Sequence, residues 1–156
     1  MLIKHDDLSS PETRALLALH LADLQSKSPS EAGHFLGLTA LQQSSVSVYS
    51  AWVGPELLGC GALKELSPTA GEIKSMRTVA THLRKGVGRA IVRHIINEAQ
   101  RRGYAWLSLE TGTDGSYAAA REFYAGQGFE CRETFGAYVP REGTCLMILD
   151  LAGSEC

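Results

Sequence analysis

Apolar residues recur along this chain with two different periods, and the changes of period mark out its elements. The opening "MLIK" predicts a short first strand. In "LSSPETRALLALHLADLQSKS", Leu16, Leu17, Leu21 and Leu24 return at helical spacing. Ser9 and Glu12 have capping-box spacing and Pro11 suits a first turn, so a helix is expected to open there. A second helical piece is expected within "HFLGLTALQQ".

From Val46 the texture becomes that of strands. "VSVYSAWV", then "GPE", then "LLGCGALKEL" reads as two strands around a tight turn, and "GEIKSMRTV" follows "SPTAG" as a third. Gly86 to Arg102 reads as a helix whose apolar face is Val87, Ala90, Ile91, Ile95, Ile96 and Ala99, with Gly103 as its C-cap. "YAWLSLET" predicts a strand and "SYAAAREFYAGQ" a helix ended by Gly128. "FECRETF" and "TCLMILDL" predict closing strands. Strands and helices intermix without strict alternation, which predicts an α+β fold: a mixed sheet with helices on it, not a doubly wound parallel one.

Length and composition narrow the function classes. A chain of 156 residues is most simply one domain, here 1–156, with room for a proper core. A net charge of -2 argues against nucleic-acid partners and against a polybasic membrane-surface protein. No apolar run reaches the length that spans a bilayer, and the start lacks the layout of a secretory signal, so a cytoplasmic protein is expected. Cys60, Cys131, Cys145 and Cys156 are scattered, with no Cys-x-x-Cys pair and no histidine at ligand spacing; free thiols and no metal are expected.

Against that acidic balance, "HLRKGVGRAI" concentrates Arg84, Lys85 and Arg89 around Gly86-Val87-Gly88 at the start of a helix. The first N–H groups of a helix have no intrahelical partner and carry partial positive charge, and glycine lets a phosphate approach them. Two readings stand: an anion site, or a tight turn with solvated cations. The segment lacks the third glycine of a dinucleotide fingerprint and the Gly-Lys-Ser/Thr ending of a P-loop.

"GEIKSMRTVATHLRKGVGRAIVRHII" resembles the acetyl-CoA motif of the GNAT acetyltransferase superfamily, whose loop reads Gln/Arg-x-x-Gly-x-Gly/Ala. "LSLETG" and "AAAREFYAGQGFE" resemble the strand and the Ala-x-x-Leu-Tyr-x-x-x-Gly-Phe helix that follow it, and the likeness covers about residues 46 to 151. The wording is most similar to a bacterial subgroup of small-molecule acetyltransferases. Leu83 stands at the leading Gln/Arg, with Arg84 and Lys85 beside it to compensate. Tyr117 falls where an asparagine often precedes the tyrosine helix, and Phe123 replaces a leucine.

The resemblance implies a central mixed, mostly antiparallel sheet flanked by helices, and acetyl transfer from acetyl-CoA to a primary amine of a small molecule, amino acids included. Alkyl ammonium groups near pKa 10.4 must lose a proton first. Glu72 matches the family's general base, acting directly or through water; otherwise it is a surface carboxylate paired with Lys74. The backbone N–H of Val79 matches the donor to the thioester oxygen, on a residue that is otherwise core. Tyr124 matches the general acid for the leaving thiolate, or is packing alone. Pyrophosphate falls to Arg84, Lys85, Gly86, Val87, Gly88 and Arg89, and pantetheine to Met76, Arg77, Thr78 and Val79, to Thr111 and Gly112, and to Ala120. For the acceptor, His20, Asp23, Ser28, Glu31 and His34 form a polar cluster in the first helical region. The rival readings are a non-catalytic acetyl-CoA sensor, which has no need of both Glu72 and Tyr124, and a protein-modifying acetyltransferase. A homodimer through the closing strands is compatible with the sequence.

Overall fold

A computed structural model describes residues 1–27, 38–113, 115–132 and 143–151. Seven strands pair in the order β1-β2-β3-β4-β5-β7-β6, and the sheet is mixed, as the pattern predicts, and mostly antiparallel, as the resemblance implies. The chain falls into two compact units. One comprises Met1–Glu65 with Ile73–Glu98; the other comprises Leu66–Glu72 with the chain from Ala99 on.

The first unit begins with β1 (Leu2–Asp6) and α1 (Pro11–Lys27). Pro11 opens the helix as expected, but the cap is Ser10, not Ser9. Ser10 Oγ accepts the Thr13 N–H at 3.3 Å and donates to Glu12 at 2.8 Å, while the Ser9 hydroxyl and N–H turn back to Asp7. The nearer hydroxyl wins because Pro11 fixes Ser10 in the extended geometry a cap needs. A short α2 (Leu38–Leu41) follows, then β2 (Val46–Val53), β3 (Glu56–Ser67) and β4 (Ala70–Thr78). α2 realises the last part of the second helical expectation.

A buried carboxylate ties β1, α1 and β2 together. Asp6 Oδ2 accepts the hydroxyls of Thr13 at 2.9 Å and Ser50 at 2.7 Å, and Oδ1 accepts the Leu8 N–H at 2.7 Å. The indole N–H of Trp52 donates in turn to Ser50 Oγ at 2.8 Å. Every member is satisfied, which is the condition under which a buried polar network can specify a fold rather than weaken it. Around it Leu8, Leu16, Leu17, Leu41, Val48 and Trp52 form the core beneath α1.

β3 serves two faces at once. Cys60 and Ala62 turn toward the α1 cluster. Gly59 and Gly61 turn the other way, toward α3 (Val87–Arg101). A Cβ at Gly59 would lie 2.9 Å from the Arg77 carbonyl oxygen and 2.9 Å from Val87 Cγ1; one at Gly61 would meet Met76 Sδ at 2.4 Å and Ile91 Cγ2 at 2.9 Å. The helix thus lies against bare backbone. Its buried face is Val87, Ile91, Val92, Ile95, Ile96 and Ala99, close to the face the spacing predicts. Gly103, in the left-handed region at φ 80, closes it, with the Tyr104 N–H donating to Ala99 at 3.0 Å.

In the second unit, residues Ala70–Glu72 of β4 run parallel to Trp106–Ser108 of β5 (Trp106–Gly112). β5 pairs antiparallel with β7 (Thr144–Asp150), and β7 with β6 (Glu130–Arg132). α4 (Ala118–Gly126) precedes β6. Leu107, Leu109, Leu146, Met147 and Ile148 are buried there with Tyr124 and Phe129.

The expectation of free thiols needs correction. Cys131 and Cys145 are joined, because β6 and β7 are hydrogen-bonded neighbours that place the two Cα atoms 6.4 Å apart, within disulfide reach. Cys60 is free and buried.

Gly59→Ala is expected to cost about 1–3 kcal/mol, because a backbone carbonyl and a packed valine must both give way. Gly126→Ala, where a Cβ meets nothing within 4 Å, is expected to leave stability unchanged or raise it. Thermal melts of the two variants check the contrast; equal melting temperatures would refute it.

Candidate active site

The predicted site residues divide between the two units. In the first, β4 is broken by Ser75, whose φ of 56 puts a non-glycine residue in the left-handed region. Beyond it the side chains alternate: Met76 reaches the α3 face over Gly61, and Arg77 reaches the α1 face. Arg77 Nη1 pairs with Asp23 on α1 at 2.9 Å. The Arg77 side chain is therefore engaged with α1, and its backbone N–H turns to Cys60 on β3.

Val79 requires a correction. Its side chain packs against the α1 cluster, and its N–H already donates to the Leu58 carbonyl at 2.8 Å. A donor spent inside the sheet has no hydrogen left for a thioester oxygen. Extended backbone alternates its polar groups between the two edges, so the N–H groups of Met76 and Thr78 point to the opposite edge from that of Val79.

After β4 a turn of 3-10 helix, Ala80–His82, is held by the His82 N–H on Val79 at 2.8 Å. The His82 ring pairs with Glu56 at the start of β3. Arg84 and Gly86 then take left-handed conformations, φ 62 and 84. Nothing lies within 4 Å of where a Gly86 Cβ would stand, so that glycine answers a backbone demand, not a crowding one. The Ala90 N–H closes the first helical bond onto the Gly86 carbonyl at 3.0 Å. The N–H groups of Val87, Gly88 and Arg89 precede any possible intrahelical acceptor. Arg84, Lys85 and Arg89 are exposed around them.

In the second unit, Glu72 is half-buried on β4, opposite Ser108 of β5. Thr111 is buried at the end of β5, and its hydroxyl has no hydrogen-bond partner among the described residues. Gly112 follows it. Ala120 is half-buried on α4. Tyr124 is buried, with its ring 5.0 Å from Phe123 and 5.7 Å from Phe129 in edge-on contacts. Burial pushes its phenol pKa well up.

Of the acceptor cluster, His20 is half-buried on α1 and Asp23 is engaged with Arg77. Ser28, Glu31 and His34 lie outside the described residues. Sequence reasoning missed Arg121, whose guanidinium donates to the Gly112 carbonyl, and it missed the ring of Tyr117 against Gly112. A signal for Arg121 existed: it stands four residues after Tyr117, on the same side of the helix start. Among the described residues no group of three or more His, Cys, Asp or Glu side chains could hold a metal ion. No helix among them is long and apolar enough to cross a membrane.

Residues 13–129 match the family model described as acetyltransferase (GNAT) family. The chain belongs to the GNAT acetyltransferase family. It is 50% identical over 138 residues to the uncharacterized N-acetyltransferase YsnE of Bacillus subtilis, covering 88% of this chain and 91% of that one. It is 43% identical to the uncharacterized N-acetyltransferase YedL of Escherichia coli, covering 87% and 86%. Its fold matches a putative acyl-CoA N-acyltransferase from Klebsiella pneumoniae with TM-score 0.76 at 24% identity, over 96% and 97% of the two chains. It also matches a Bacillus subtilis acetyltransferase in complex with CoA, with TM-score 0.69 at 20% identity, over 96% and 97%. The chain is thus an acetyl-CoA-dependent N-acetyltransferase. Its residues fit that cosubstrate. Unsatisfied helix-start amides, three exposed cations and open space over Gly86 suit a pyrophosphate, and a partnerless buried hydroxyl at Thr111 suits an amide-rich arm.

The two raised titrations predict how stability responds to alkali. Burial raises the Cys60 thiol from its ordinary 9.0 to about 12, with the nearby Asp6 carboxylate adding to the shift. Burial raises the Tyr124 phenol as well. Both groups bind their protons more tightly when folded, so their contribution is fully present below the unfolded values and is lost as pH rises through the folded ones. Denaturant midpoints are expected to fall between pH 9 and about 12, less steeply in Cys60→Ala, once each protein is referred to its own midpoint at neutral pH. A slope that Cys60→Ala leaves unaltered would assign the loss to other groups.

Proposed function

We propose that this enzyme transfers the acetyl group of acetyl-CoA to the primary amine of a small molecule, with amino acids the first class to try, and that residues 1–156 act as one acetyltransferase domain. The observation that carries the reading is the start of α3: three unsatisfied amides ringed by Arg84, Lys85 and Arg89, directly after the strand that bears Met76 and Thr78. The CoA carried by the Bacillus subtilis neighbour supports the same cosubstrate here.

In this mechanism the amides of Val87, Gly88 and Arg89 and the three cations hold the pyrophosphate. Pantetheine runs along Met76–Thr78; the family resemblance adds Thr111, Gly112 and Ala120 as contacts of the arm. The acceptor arrives as an ammonium ion, and Glu72, half-buried and reachable by water, takes its proton. The nitrogen lone pair then attacks the thioester carbon. An N–H of Met76 or Thr78 meets the oxygen as it gains charge, a donor worth on the order of a hundred- to thousandfold in rate. As the carbon–sulfur bond breaks, Tyr124 donates a hydrogen bond to the sulfur, and the second proton of the attacking nitrogen ends on that sulfur, so the products are the amide and the CoA thiol. His20 on α1 faces the acceptor, while Asp23 remains paired with Arg77.

The test is a screen for free-thiol release from acetyl-CoA over amino acids, polyamines and aminoglycosides. Turnover with a small amine is the expected outcome. CoA binding without turnover on any amine would favour a sensor instead. With an acceptor in hand, Glu72→Gln is expected to bind acetyl-CoA normally and lose about a hundredfold or more in turnover near neutrality. Part of that loss should return at high pH, where more of the amine is already neutral. Tyr124→Phe should likewise bind CoA and turn over more slowly. A Glu72→Gln profile of unchanged shape would move the base elsewhere.

A further inference from the structure

We propose that Tyr117 and Arg121 are positioning residues for the pantetheine arm: they fix the end of β5 so that the Thr111 hydroxyl is its hydrogen-bond partner. The proposal rests on the acetyl-CoA reading above.

Three observations meet at residues 111 and 112. The first is steric. A Cβ on Gly112 would stand 2.1 Å from Cδ2, 2.5 Å from Cε2 and 2.8 Å from Cγ of the Tyr117 ring, so the ring lies flat against the space a side chain would need. Real Cβ contacts do not come so close, and an aromatic ring on the short turn Gly115–Tyr117 has few rotamers with which to retreat. The second is polar. The Arg121 guanidinium, one helical turn after Tyr117, donates to the Gly112 carbonyl oxygen. Ring and guanidinium thus hold the same peptide. The third is the group that this hold leaves unanswered. Thr111 is 9% exposed and its Oγ1 has no partner among the described residues.

A buried hydroxyl without a partner costs free energy, and most such groups in native proteins are satisfied. Strand pairing does not help it: Thr111 lies opposite Cys145 of β7, whose sulfur is bonded to Cys131 and has no hydrogen to give. A hydroxyl is donor and acceptor at once, so it can serve either end of a secondary amide. The pantetheine arm carries two such amides. Tyr117 fills the space over Gly112, and the strand end carries the polar contact.

The test is calorimetry on the whole chain with two probes, CoA and the adenosine bisphosphate fragment that lacks pantetheine. Thr111→Val keeps the side-chain shape and removes the hydroxyl. It is expected to weaken CoA roughly two- to tenfold and leave the fragment unchanged. Thr111→Ser, which keeps the hydroxyl, should bind CoA like the original protein. Gly112→Ala should weaken CoA, and Tyr117→Ala in the same chain should restore part of the loss by removing the ring that the new methyl meets. In turnover, Thr111→Val should raise KM for acetyl-CoA at unchanged kcat, the mark of uniform binding. Unchanged CoA affinity in Thr111→Val, or equal weakening of both probes, overturns the proposal. If the original protein binds the fragment and CoA equally, no pantetheine contact exists at this strand end. If it binds neither, the acetyl-CoA reading fails and takes this proposal with it.

Discussion

The close approach of α3 to β3 at Gly59 and Gly61 is the constraint on which the proposed phosphate-binding end of this protein depends. A helix normally rides on the side chains of a sheet. Here Val87 and Ile91 rest where Cβ atoms would be, at distances below 3 Å for any substituent on either glycine. The two glycines are also the reason Cys60 and Ala62 can face the opposite core without competition, since one strand then serves two faces with small residues on both. Val87 is both the contact that seats the helix and the first residue of its open N-terminus. Seating the helix therefore aims its amides, and the geometry of a ligand site follows from a packing rule.

Among the described residues three non-glycine positions have left-handed backbone, Leu8, Ser75 and Arg84, and the last two lie where that aim is set. Ser75 and Arg84 hold left-handed conformations without being glycine, each worth of order 1–2 kcal/mol, and both flank the segment that runs from the β4 break to the helix. Compensation comes from elsewhere in the same unit. The Asp6 carboxylate gathers two hydroxyls and a backbone N–H, and Lys4 lies 4.8 Å over the ring of Trp52, whose N–H completes the network. Those contacts hold β1, α1 and β2 without touching the loop. The frame meets that strained segment through β3, through the Arg77–Asp23 pair and through Val79 packed on the α1 cluster.

Periodicity made the element order legible because each change of period coincides with a turn signal, as at Gly103, where a left-handed glycine ends α3. The α3 face could be read almost residue by residue, since a helix on one sheet has one apolar stripe. What could not be read depends on distance across the chain. The cap moved from Ser9 to Ser10 because two adjacent serines satisfy the same pattern. Val79 was misassigned as an oxyanion donor because a motif gives the strand but not the edge to which each N–H turns. That parity is set by pairing with Leu58, twenty-one positions away along the sequence. The Cys131–Cys145 link depends likewise on β6 and β7 being neighbours, which spacing does not reveal. Gly-Cys-Gly inside an apolar strand was visible all along, and its meaning, close approach of another element, is general.

The division of labour proposed for Glu72 and Tyr124 follows from burial more than from residue type. A half-buried carboxylate keeps water within reach, so it can pass a proton outward and regain its charge between turnovers. A phenol enclosed by Phe123 and Phe129 cannot do this cheaply, because burial disfavours its anion and raises its pKa. The same surroundings, however, disfavour a bare thiolate at least as much as a bare phenolate. What matters for leaving-group departure is the difference between the two acids in that environment, not the position of either on the aqueous scale. A hydroxyl held neutral throughout the working pH range is always in its donating form. Tyr124 is therefore better suited to lend a hydrogen bond as charge builds on sulfur than to titrate, and its packing role and its chemical role are two consequences of one enclosed site.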